Sequence, residues 1–464
     1  MTSAPSITGG LAAFAAELEF DDLPDRVRQQ VKTIVLDAVA CALAGYDAEE
    51  VTVVERFARG LGSSDESTVI GGGRLSPPGA TVMNSYLITA ITVCDMHRPT
   101  TCHVSPEVVA PALVSAEAGH ASGRAAMTAI AAGLEVTTRV GLGLHPAEFR
   151  AREWHAPGVI GPFGGAAAVG RLLGLTATQM ASAFGLAASQ AAGTYAHLGT
   201  PTMKFQQARA ALSGTMAAQL SGEGFTASTE ILTQSNGGLF SAYSDGGDPA
   251  AVLAGIGEDW ELNRISLRPW PVAMHLQPVV TAVMELLAQG PVALESTAQV
   301  RIELSPTAYR MHAAVSWNER FRARLSAPYV TAVALADGRC GLDQFTAARI
   351  GDPALNDFIR GRVTVTEAPD RANGTAALIV EGADGTTRAT EVGAARGEPS
   401  NPMSLDEVIE KYTMAAESRL PASQAQVALE MLLHLEELDD VGSLLASLAR
   451  AQTGSDEAGE RAHH

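Results

Sequence analysis

The sequence has little of several features that mark well-known classes of protein. It has four cysteines, and no two of them form a CxxC pair, so their spacing indicates neither a common zinc site nor a redox motif. Aromatic residues make up only 5% of the chain, which favours close packing of helices over a β-sandwich. The motifs HExxH, GxSxG and GxxxxGKS/T are absent, and the GLG at 141–143 lacks the third glycine of a dinucleotide-binding turn.

Positive charge is also scarce. The chain has 32 Lys and Arg against 51 Asp and Glu, a formal net charge of −19, which argues against nucleic acid or an anionic membrane as a partner. An anionic substrate would therefore need a locally basic pocket. The N-terminus has neither the basic nor the apolar region of a signal peptide. Together with the lack of a CxxC pair, this predicts a cytoplasmic protein.

Two apolar stretches, at 109–134 and 155–193, resemble membrane spans in length. Glu117 and Arg124 interrupt the first stretch, and glycines together with Arg171 interrupt the second. We therefore predict buried helices rather than membrane spans.

The first 265 residues have the pattern of a large helical domain. The chain has 464 residues, 46% of them hydrophobic, so it can bury a large core and divide into two or more domains. Over residues 27–43, apolar side chains recur at the three-and-four spacing of one helical face, and Gly45 follows where a C-cap glycine belongs. Similar stretches rich in alanine and glycine run to about residue 260. We predict a helical domain over 1–265.

Residues 266–399 instead have the alternation typical of strands. Apolar and polar side chains alternate over 300–304 and again over 363–366. Asp384-Gly385 lies between two further runs of this kind and indicates a hairpin turn, because glycine supplies the positive φ that tight turns need. This segment is predicted to be a smaller α+β domain.

The chain then returns to helix. Ser404 and Glu407 form a capping-box pattern ahead of an apolar run, so residues 400–450 are predicted to complete the helical domain. A polar, disordered tail is predicted at 451–464.

Histidine and lysine carry the chemistry that remains. They lie in four short segments, at 94–103, 154–157, 200–204 and 270–275. Each segment also has a structural interpretation, since a single histidine is more often a surface or core residue than a catalyst, and Lys204 alone could be a solvated charge. Asp95, His97 and His103 could instead be metal ligands, because carboxylate and neutral imidazole suit zinc or iron, although their spacing matches no common site.

Four blocks of the sequence carry a resemblance to a known family. The blocks are Asp95-Met-His-Arg-Pro-Thr-Thr-Cys-His103, Trp154-His155-Ala-Pro-Gly-Val-Ile-Gly-Pro-Phe-Gly-Gly-Ala-Ala-Ala, Gly199-Thr-Pro-Thr-Met-Lys204 and Trp270-Pro-Val-Ala-Met-His275-Leu-Gln277. In this order they resemble the aspartate and H-P segment, the G-x-H-x-T-x-x-G-x-x-G-A-A-A-A block, the G-T-x-x-K block and the F-P-x-x-x-H-x-Q segment of the MmgE/PrpD (2-methylcitrate dehydratase) family. With weaker matches the resemblance covers about residues 20–415.

The sequence departs from the family pattern beside the expected site. Cys94 stands where many members have an aspartate, and Val104 replaces the proline after His103. Residues 205–209 replace a segment that commonly offers a histidine and then a glycine after the lysine. These differences leave the family assignment standing and the substrate open.

The resemblance implies a mainly α fold with an α+β second domain, in which the pocket lies between a large helical domain and a smaller lid. It also implies an enzyme without cofactor or metal, a homodimer, and a small polycarboxylate substrate. The residues implied for catalysis are Asp95, His103, His155, Lys204 and His275. The residues implied for substrate binding are His97, Thr100, Gln207, Arg209, Arg268, Gln277 and Tyr329.

The implied roles follow from the chemistry of carboxylates. Removing a proton from the carbon next to a carboxylate adds a second negative charge, so the site needs a base and cationic donors. His103 and His155 would transfer protons or bind a substrate carboxylate. Asp95 would orient a histidine, or could itself be the base.

Lys204, Arg268 and His275 would neutralise the carboxylates of the intermediate. That intermediate serves three outcomes: loss of a β-hydroxide gives dehydration, loss of CO2 gives decarboxylation, and reprotonation on the opposite face gives epimerisation. We favour a lyase. Because a fold does not select the reaction, an epimerase or isomerase of the iminodisuccinate type is kept as the alternative. A homologue that binds a dicarboxylate without turnover is a third interpretation, against which the retained His155 and Lys204 argue.

Overall fold

A computed structural model describes residues 6–450 of the chain. These residues form two compact units. The helical unit runs from the start of the described chain to Ile265 and resumes at Leu405, and the mixed unit is Ser266–Ser404. The tail predicted at 451–464 lies outside the described residues.

The first part of the helical unit contains twelve described α-helices. In chain order they are α1 (Ile7–Glu17), α2 (Asp25–Gly45), α3 (Val51–Arg59), α4 (Pro77–Thr89), α5 (Ser105–Ala118), α6 (Gly123–Gly143), α7 (Pro146–Ala151), α8 (Ala156–Leu172), α9 (Ala177–Ala188), α10 (Thr202–Gly222), α11 (Leu239–Tyr243) and α12 (Pro249–Leu253). The strands of this part are two residues long: β1 (Ser67–Thr68), β2 (Arg74–Leu75) and β3 (Met96–His97). A fourth two-residue strand, β4 (Ile265–Ser266), begins at the last residue of this part.

Helix α2 confirms the helix predicted from residues 27–43, but the role predicted for Gly45 is wrong. Gly45 is the last residue of α2, and Tyr46 follows as the C-cap in a right-handed conformation. A Cβ atom on Gly45 would lie 2.2 Å from the carbonyl oxygen of Leu87 in α4. The glycine is therefore needed for the close approach of two helices and not for a positive φ.

Glycines let α6, α8 and α10 pack closely together. A Cβ atom on Gly164 of α8 would lie 1.8 Å from Oγ1 of Thr137 in α6. One on Gly214 of α10 would lie 2.6 Å from the carbonyl oxygen of Pro162 in α8. Residues 156–170 of α8 are all buried, so the alanine- and glycine-rich block becomes the centre of a close-packed core.

The two apolar stretches noted in the sequence lie within this packed set of helices. They contribute to α5, α6, α8 and α9, as predicted. Within residues 6–450, no helix combines the length and the apolar character needed to cross a membrane.

The mixed unit combines helices with one larger sheet. Its helices are α13 (Gln277–Ala288), α14 (Pro306–His312), α15 (Arg320–Ala323), α16 (Ala327–Asp337), α17 (Ala347–Ile350) and α18 (Pro353–Arg362). Its strands are β5 (Thr297–Leu304), β6 (Val363–Glu367), β7 (Ala376–Gly382) and β8 (Thr387–Val392).

The four strands form one mixed sheet in the order β6-β5-β7-β8. Strand β5 is parallel to β6, with Val300 opposite Val363, and antiparallel to β7. Strands β7 and β8 form the predicted hairpin, in which Gly385 has a φ of +85°. Asp384 stabilises this turn, since its Oδ1 accepts a hydrogen bond from the Thr386 N–H at 3.0 Å.

Alternation along β5 decides which face of the sheet is buried. Val300, Ile302 and Leu304 are fully buried, whereas the residues between them are partly exposed. Helix α13 packs against β7 and β8, and α16 packs against β6. Strands with one buried face are typical of an α+β arrangement, so the fold class predicted from the sequence is confirmed.

The chain ends its described part with three helices of the helical unit, α19 (Leu405–Glu417), α20 (Ala422–Leu433) and α21 (Gly442–Leu448). The start of α19 agrees with the capping pattern at Ser404. Helix α19 packs against α2, and Lys411 donates a hydrogen bond of 2.6 Å to the buried carboxylate of Asp37. The last helices are thus tied to the first part of the helical unit.

Candidate active site

Asp95 lies in the loop between α4 and α5 and is fully buried. Its carboxylate accepts hydrogen bonds from the Val104 N–H at 3.0 Å and the Ser105 N–H at 3.2 Å, and also from the Ser105 hydroxyl. These amides begin α5, so the carboxylate caps the helix. Burial raises the pKa of Asp95 to about 6, because the charged form loses its hydration. These contacts argue against Asp95 as the base.

His103 is oriented by the main chain of Asp95. Its Nδ1 lies 2.7 Å from the Asp95 carbonyl oxygen. A carbonyl only accepts hydrogen bonds, so Nδ1 carries the proton and the lone pair of the neutral ring lies on Nε2. From the sequence, the carboxylate of Asp95 is expected to orient a histidine, whereas this hydrogen bond to His103 is made by the Asp95 carbonyl.

A buried ion pair between Lys411 and Asp37 also anchors the loop that contains Asp95. The Lys411 ammonium that binds Asp37 also donates to the Val93 carbonyl oxygen at 2.9 Å. Val93 lies two residues before Asp95. A buried pair with good hydrogen-bond geometry fixes its surroundings even where it adds little stability, so the position of the Asp95 loop depends on a helix from the far end of the chain.

His155 is the N-cap residue of α8 and is 3% exposed. The backbone N–H of His155 donates to the Gly193 carbonyl oxygen at 3.0 Å. The Tyr195 ring meets the imidazole edge to face, with centroids 5.4 Å apart, and the Arg150 guanidinium lies 3.4 Å from the Tyr195 ring centre. Burial, with a smaller effect from the charge of His103, lowers the pKa of His155 to about 3. The ring is therefore neutral at physiological pH.

Lys204 lies in the first turn of α10 and is partly exposed. Its charge and that of His103 both act on the pKa of His155, so these three groups lie within electrostatic reach of one another. Asp95 joins them through its hydrogen bond with His103. The helical unit thus brings together residues from the start of α5, the start of α8 and the start of α10.

Arg209 and Gln207 were predicted to bind substrate, and the structure gives Arg209 other contacts. The Arg209 guanidinium donates to the carbonyl oxygens of Gln190 at 2.6 Å, Gly158 at 2.8 Å and Ala192 at 2.8 Å. It therefore ties the start of α8 to the loop after α9. Gln207 is 1% exposed, which leaves it little surface to offer a ligand.

His97 and Thr100 also make structural contacts in place of the predicted substrate contacts. The His97 ring is fully buried, with Nδ1 2.9 Å from the Thr100 hydroxyl and Nε2 3.1 Å from a Glu261 carboxylate oxygen. Both ring nitrogens are thus engaged within the helical unit. Burial lowers the pKa of His97.

In the mixed unit, His275 lies in the short helix Met274–Leu276 and is partly exposed. Its Nδ1 lies 3.4 Å from Nε2 of His312. Gln277 follows, 2% exposed, and its amide donates to the carbonyl oxygens of Trp270 at 2.9 Å and Val272 at 3.1 Å. Gln277 therefore shapes the segment that carries His275, where the sequence predicted a substrate contact.

Tyr329 and Arg268 are both buried. The Tyr329 hydroxyl donates to the Gln344 carbonyl oxygen at 2.6 Å, and its ring packs against Phe345 with centroids 5.9 Å apart. Tyr329 is thus part of the core of the mixed unit, contrary to the predicted substrate contact. Arg268, 3% exposed, lies at the start of this unit.

The metal interpretation of Asp95, His97 and His103 fails on geometry. Both carboxylate oxygens of Asp95 accept hydrogen bonds from the start of α5, both ring nitrogens of His97 are engaged by Thr100 and Glu261, and Nδ1 of His103 faces the Asp95 carbonyl. Across the described part of the chain, no group of three or more His, Cys, Asp or Glu side chains could hold a metal ion.

The structure also places an acid that the sequence analysis missed. Glu107, in the first turn of α5, is fully buried, and within residues 6–450 neither carboxyl oxygen has a hydrogen-bond partner. Its Cγ would be 2.5 Å from a Cβ on Gly161. Burial, and then the charge of Asp95, raises the pKa of Glu107 well above 4.5, which favours the neutral acid. Nothing in its sequence surroundings distinguishes Glu107 from a surface carboxylate.

Two imidazoles beside a lysine are groups that exchange protons and attract anions. In a helical core of this kind they are typical of an enzyme that acts on an anionic substrate. The chain matches the MmgE/PrpD N-terminal domain over residues 9–251 and the MmgE/PrpD C-terminal domain over residues 270–437. It belongs to the MmgE/PrpD family.

Relatives that align over nearly the whole chain are described as cis-aconitate decarboxylases. The one from Aspergillus terreus is 28% identical over 474 residues, which cover 95% of this chain and 96% of the relative. The one from Homo sapiens is 26% identical over 459 residues, 96% of this chain and 94% of the relative. The one from Mus musculus is 25% identical over 470 residues, 98% and 95% respectively.

Proposed function

We propose that this protein is a lyase that removes CO2 from cis-aconitate or a closely similar unsaturated tricarboxylate, without a cofactor. The observation that carries the proposal is the cluster of His103, His155 and Lys204 in a protein whose full-length relatives bear the name cis-aconitate decarboxylase. Family membership supports the broader statement, a lyase acting on a carboxylate. At 28% identity, the particular acid is the part that needs a direct test.

The reaction needs charge stabilisation at one step and a proton at the next. The C–C bond to the departing carboxylate breaks, its electron pair stays on carbon, and CO2 leaves. The pair is delocalised over the neighbouring double bond and a remaining carboxylate, whose growing charge the Lys204 ammonium stabilises. One proton is then taken up at carbon for each CO2 released.

The two histidines are suited to supply that proton. His103 has its Nδ1 proton held by the Asp95 carbonyl, so Nε2 is the atom that exchanges a proton with substrate. His155 is neutral without ligand, since its pKa is about 3. A bound polycarboxylate raises the pKa of a neighbouring imidazole, and either ring can then hold the proton until carbon accepts it.

Other outcomes of the same intermediate have less support. None of the relatives described above is named an epimerase, so epimerisation gains nothing from the comparisons. Two further alternatives are the dehydration of a hydroxy acid and the binding of an acid without turnover. The NMR experiment below distinguishes both from decarboxylation.

The test is to follow purified protein with cis-aconitate by NMR in deuterated water. We expect CO2 release, one carboxylate lost from the acid, and one carbon-bound deuterium in the product. 2-Methylcitrate and a dicarboxylate with one stereocentre serve as comparison substrates. New olefin signals from 2-methylcitrate without CO2 would identify a dehydratase, and deuterium exchange without net conversion of the dicarboxylate would identify an epimerase.

The absence of a cofactor is tested in the same assay. We expect turnover to survive exhaustive dialysis against EDTA, because imidazole and ammonium groups are proposed to do the chemistry. Activity lost on dialysis and restored by one divalent metal would contradict this part of the proposal.

We propose further that the protein is a homodimer in the cytoplasm. Val53 and Phe57 of α3 are 57% and 49% exposed, and Phe57 contacts Phe205 of α10 with ring centroids 5.6 Å apart. Met216 and Leu220, on the same face of α10 as Phe205 by helical spacing, are 38% and 41% exposed. A second copy of the chain would cover this apolar stripe.

A further inference from the structure

Two histidines of the mixed unit form a pair that the sequence did not indicate. His312 is the last residue of α14 and is 3% exposed. Its ring lies 5.4 Å from that of His275, centroid to centroid, at an angle of 40°. The closest atoms are Nε2 of His312 and Nδ1 of His275, 3.4 Å apart.

The protons of this pair can be assigned from the far side of His312. Its Nδ1 lies 2.9 Å from the Leu325 carbonyl oxygen, and a carbonyl only accepts, so Nδ1 carries the proton. Burial lowers the pKa of His312, which favours the neutral ring. The lone pair of His312 therefore lies on Nε2, and the partner atom, Nδ1 of His275, must be the donor.

A backbone hydrogen bond fixes the position of the His275 segment relative to the Leu325 carbonyl. The Ala273 N–H donates to the Arg324 carbonyl oxygen at 3.1 Å. Ala273 lies two residues before His275, and Arg324 lies directly before Leu325. The segment that carries His275 is therefore anchored beside the carbonyl that orients His312.

We propose that His312 is a positioning residue that fixes the tautomer and ring orientation of His275, so that Nδ1 of His275 carries the proton and the lone pair on its Nε2 can take up a proton during the reaction. The inference rests on the proposed function in one respect, the part in catalysis that the family resemblance implies for His275. Its physical content is independent of turnover. It states which nitrogen of His275 carries the proton and which residue sets that choice.

Two amide substitutions separate the two ends of the His312 ring. His312→Gln places its amide near the position of Nε2, where its oxygen can accept from His275. His312→Asn places its amide near the position of Nδ1, where it keeps the bond to Leu325 and loses His275. Both side chains are neutral and polar, so the variants differ mainly in whether residue 312 can accept a hydrogen bond from His275.

The direct measurement is long-range proton–nitrogen NMR of imidazole-labelled protein, with His275 assigned from the His275→Gln spectrum. We expect neutral His275 in the wild-type protein to carry its proton on Nδ1. His312→Gln should keep this tautomer, and His312→Asn should shift it toward Nε2–H. A wild-type His275 protonated on Nε2 would overturn the inference without any variant, even if a substitution prevented folding.

Turnover provides the second measurement. For CO2 release from cis-aconitate, we expect His312→Asn to lower kcat/KM by about tenfold to a hundredfold, the effect that loss of the hydrogen-bond partner of a histidine has at metal sites. His312→Gln should stay within about threefold of wild type by the same reasoning. Equal activity and an unchanged tautomer in His312→Asn would overturn the inference. If the tautomer shifts as stated but no acid is ever decarboxylated, the inference stands and the proposed function fails.

Discussion

His103 and His155 lie in different surroundings, which suits them to different steps. His103 is partly exposed, and the Asp95 carbonyl fixes its tautomer. His155 is almost fully buried beside Tyr195 and holds no charge until a ligand supplies negative charge. A neutral, desolvated imidazole gains most from a bound anion, so His155 is the ring whose protonation should respond most to substrate.

The pKa of His155 makes a prediction about stability and pH. In the unfolded chain a histidine takes up a proton below about pH 6.5, whereas folded His155 does so only near pH 3. The folded state therefore loses stability from this group as pH falls from 6.5 toward 3. At pH 5 the loss is about 2 kcal/mol. The His155→Gln variant has no imidazole at this position and should not show this loss.

Denaturant titration of the wild type and His155→Gln at pH 7.5 and pH 5 measures this difference. We expect the stability advantage of the wild type over the variant to shrink by about 2 kcal/mol at the lower pH. If the free energy of unfolding changes equally with pH in the two proteins, His155 is not a buried imidazole with a lowered pKa.

Lys204 gives a second prediction at the scale of one side chain. Lys204→Met keeps most of the aliphatic stem and removes the charge, so it should lower turnover by about a hundredfold to a thousandfold, the usual effect of one lost electrostatic donor. Lys204→Arg keeps the charge and is the matched control, expected to retain more activity than Lys204→Met. If Lys204→Met folds normally and turns over within a few-fold of wild type, Lys204 does not stabilise the reacting carboxylate.

Among the helices, α8 has two tasks that its composition makes compatible. Its N-terminus presents His155, and its glycines allow α6 and α10 to approach the same segment. Helix α5 has a related arrangement, because Asp95 caps its start while Glu107 is buried in the same first turn. The site is thus placed at helix starts whose positions are set by packing of the helices behind them.

Gly164 tests the packing of α8 directly. Gly164→Ala would place a methyl group 1.8 Å from Thr137 Oγ1 and disturb the hydrogen bond of that hydroxyl to the Gly133 carbonyl at 2.9 Å. We expect a loss of about 1–3 kcal/mol in the free energy of unfolding. Gly361→Ala in α18 is the control, since nothing lies within 4 Å of a Cβ there, and it should be neutral or slightly stabilising. Equal effects would contradict this account of the packing.

For the whole molecule, the apolar stripe on α3 and α10 bears on assembly. Exposed side chains on two helices that already contact each other through Phe57 and Phe205 form a larger patch than isolated surface residues do. The acidic chain as a whole repels its copies, so an apolar contact has to offset that repulsion.

Light scattering of matched aspartate variants tests the proposed dimer. Val53→Asp introduces a charge into the stripe, and Val427→Asp does so at a comparably exposed valine of α20, the two side chains being 57% and 49% exposed. We expect Val53→Asp to weaken the dimer at micromolar concentration by about tenfold or more, because a buried unpaired charge costs several kcal/mol. Val427→Asp should leave it unchanged. A wild-type monomer at this concentration would refute the proposed assembly.

Local patterns in the sequence were sufficient for much of the fold. The apolar face of α2, the alternation along β5, the Asp384-Gly385 turn and the start of α19 all depend on residues within a few positions of each other. Helix periodicity, strand alternation and turn chemistry are local properties, so the sequence predicts them directly. The four motif blocks also indicate the family, since each is a short continuous stretch of sequence.

Contacts between distant residues were decided only by the tertiary structure. Gly45 has the residue type of a C-cap, but the Leu87 carbonyl of α4 gives it a packing role. Arg209 has the residue type of an anion binder, but three carbonyl oxygens occupy its guanidinium. Side-chain type limits what a residue can do, whereas hydrogen-bond partners from remote segments decide what it does. His312 reached His275 across 37 positions, a separation at which periodicity and capping patterns carry no information.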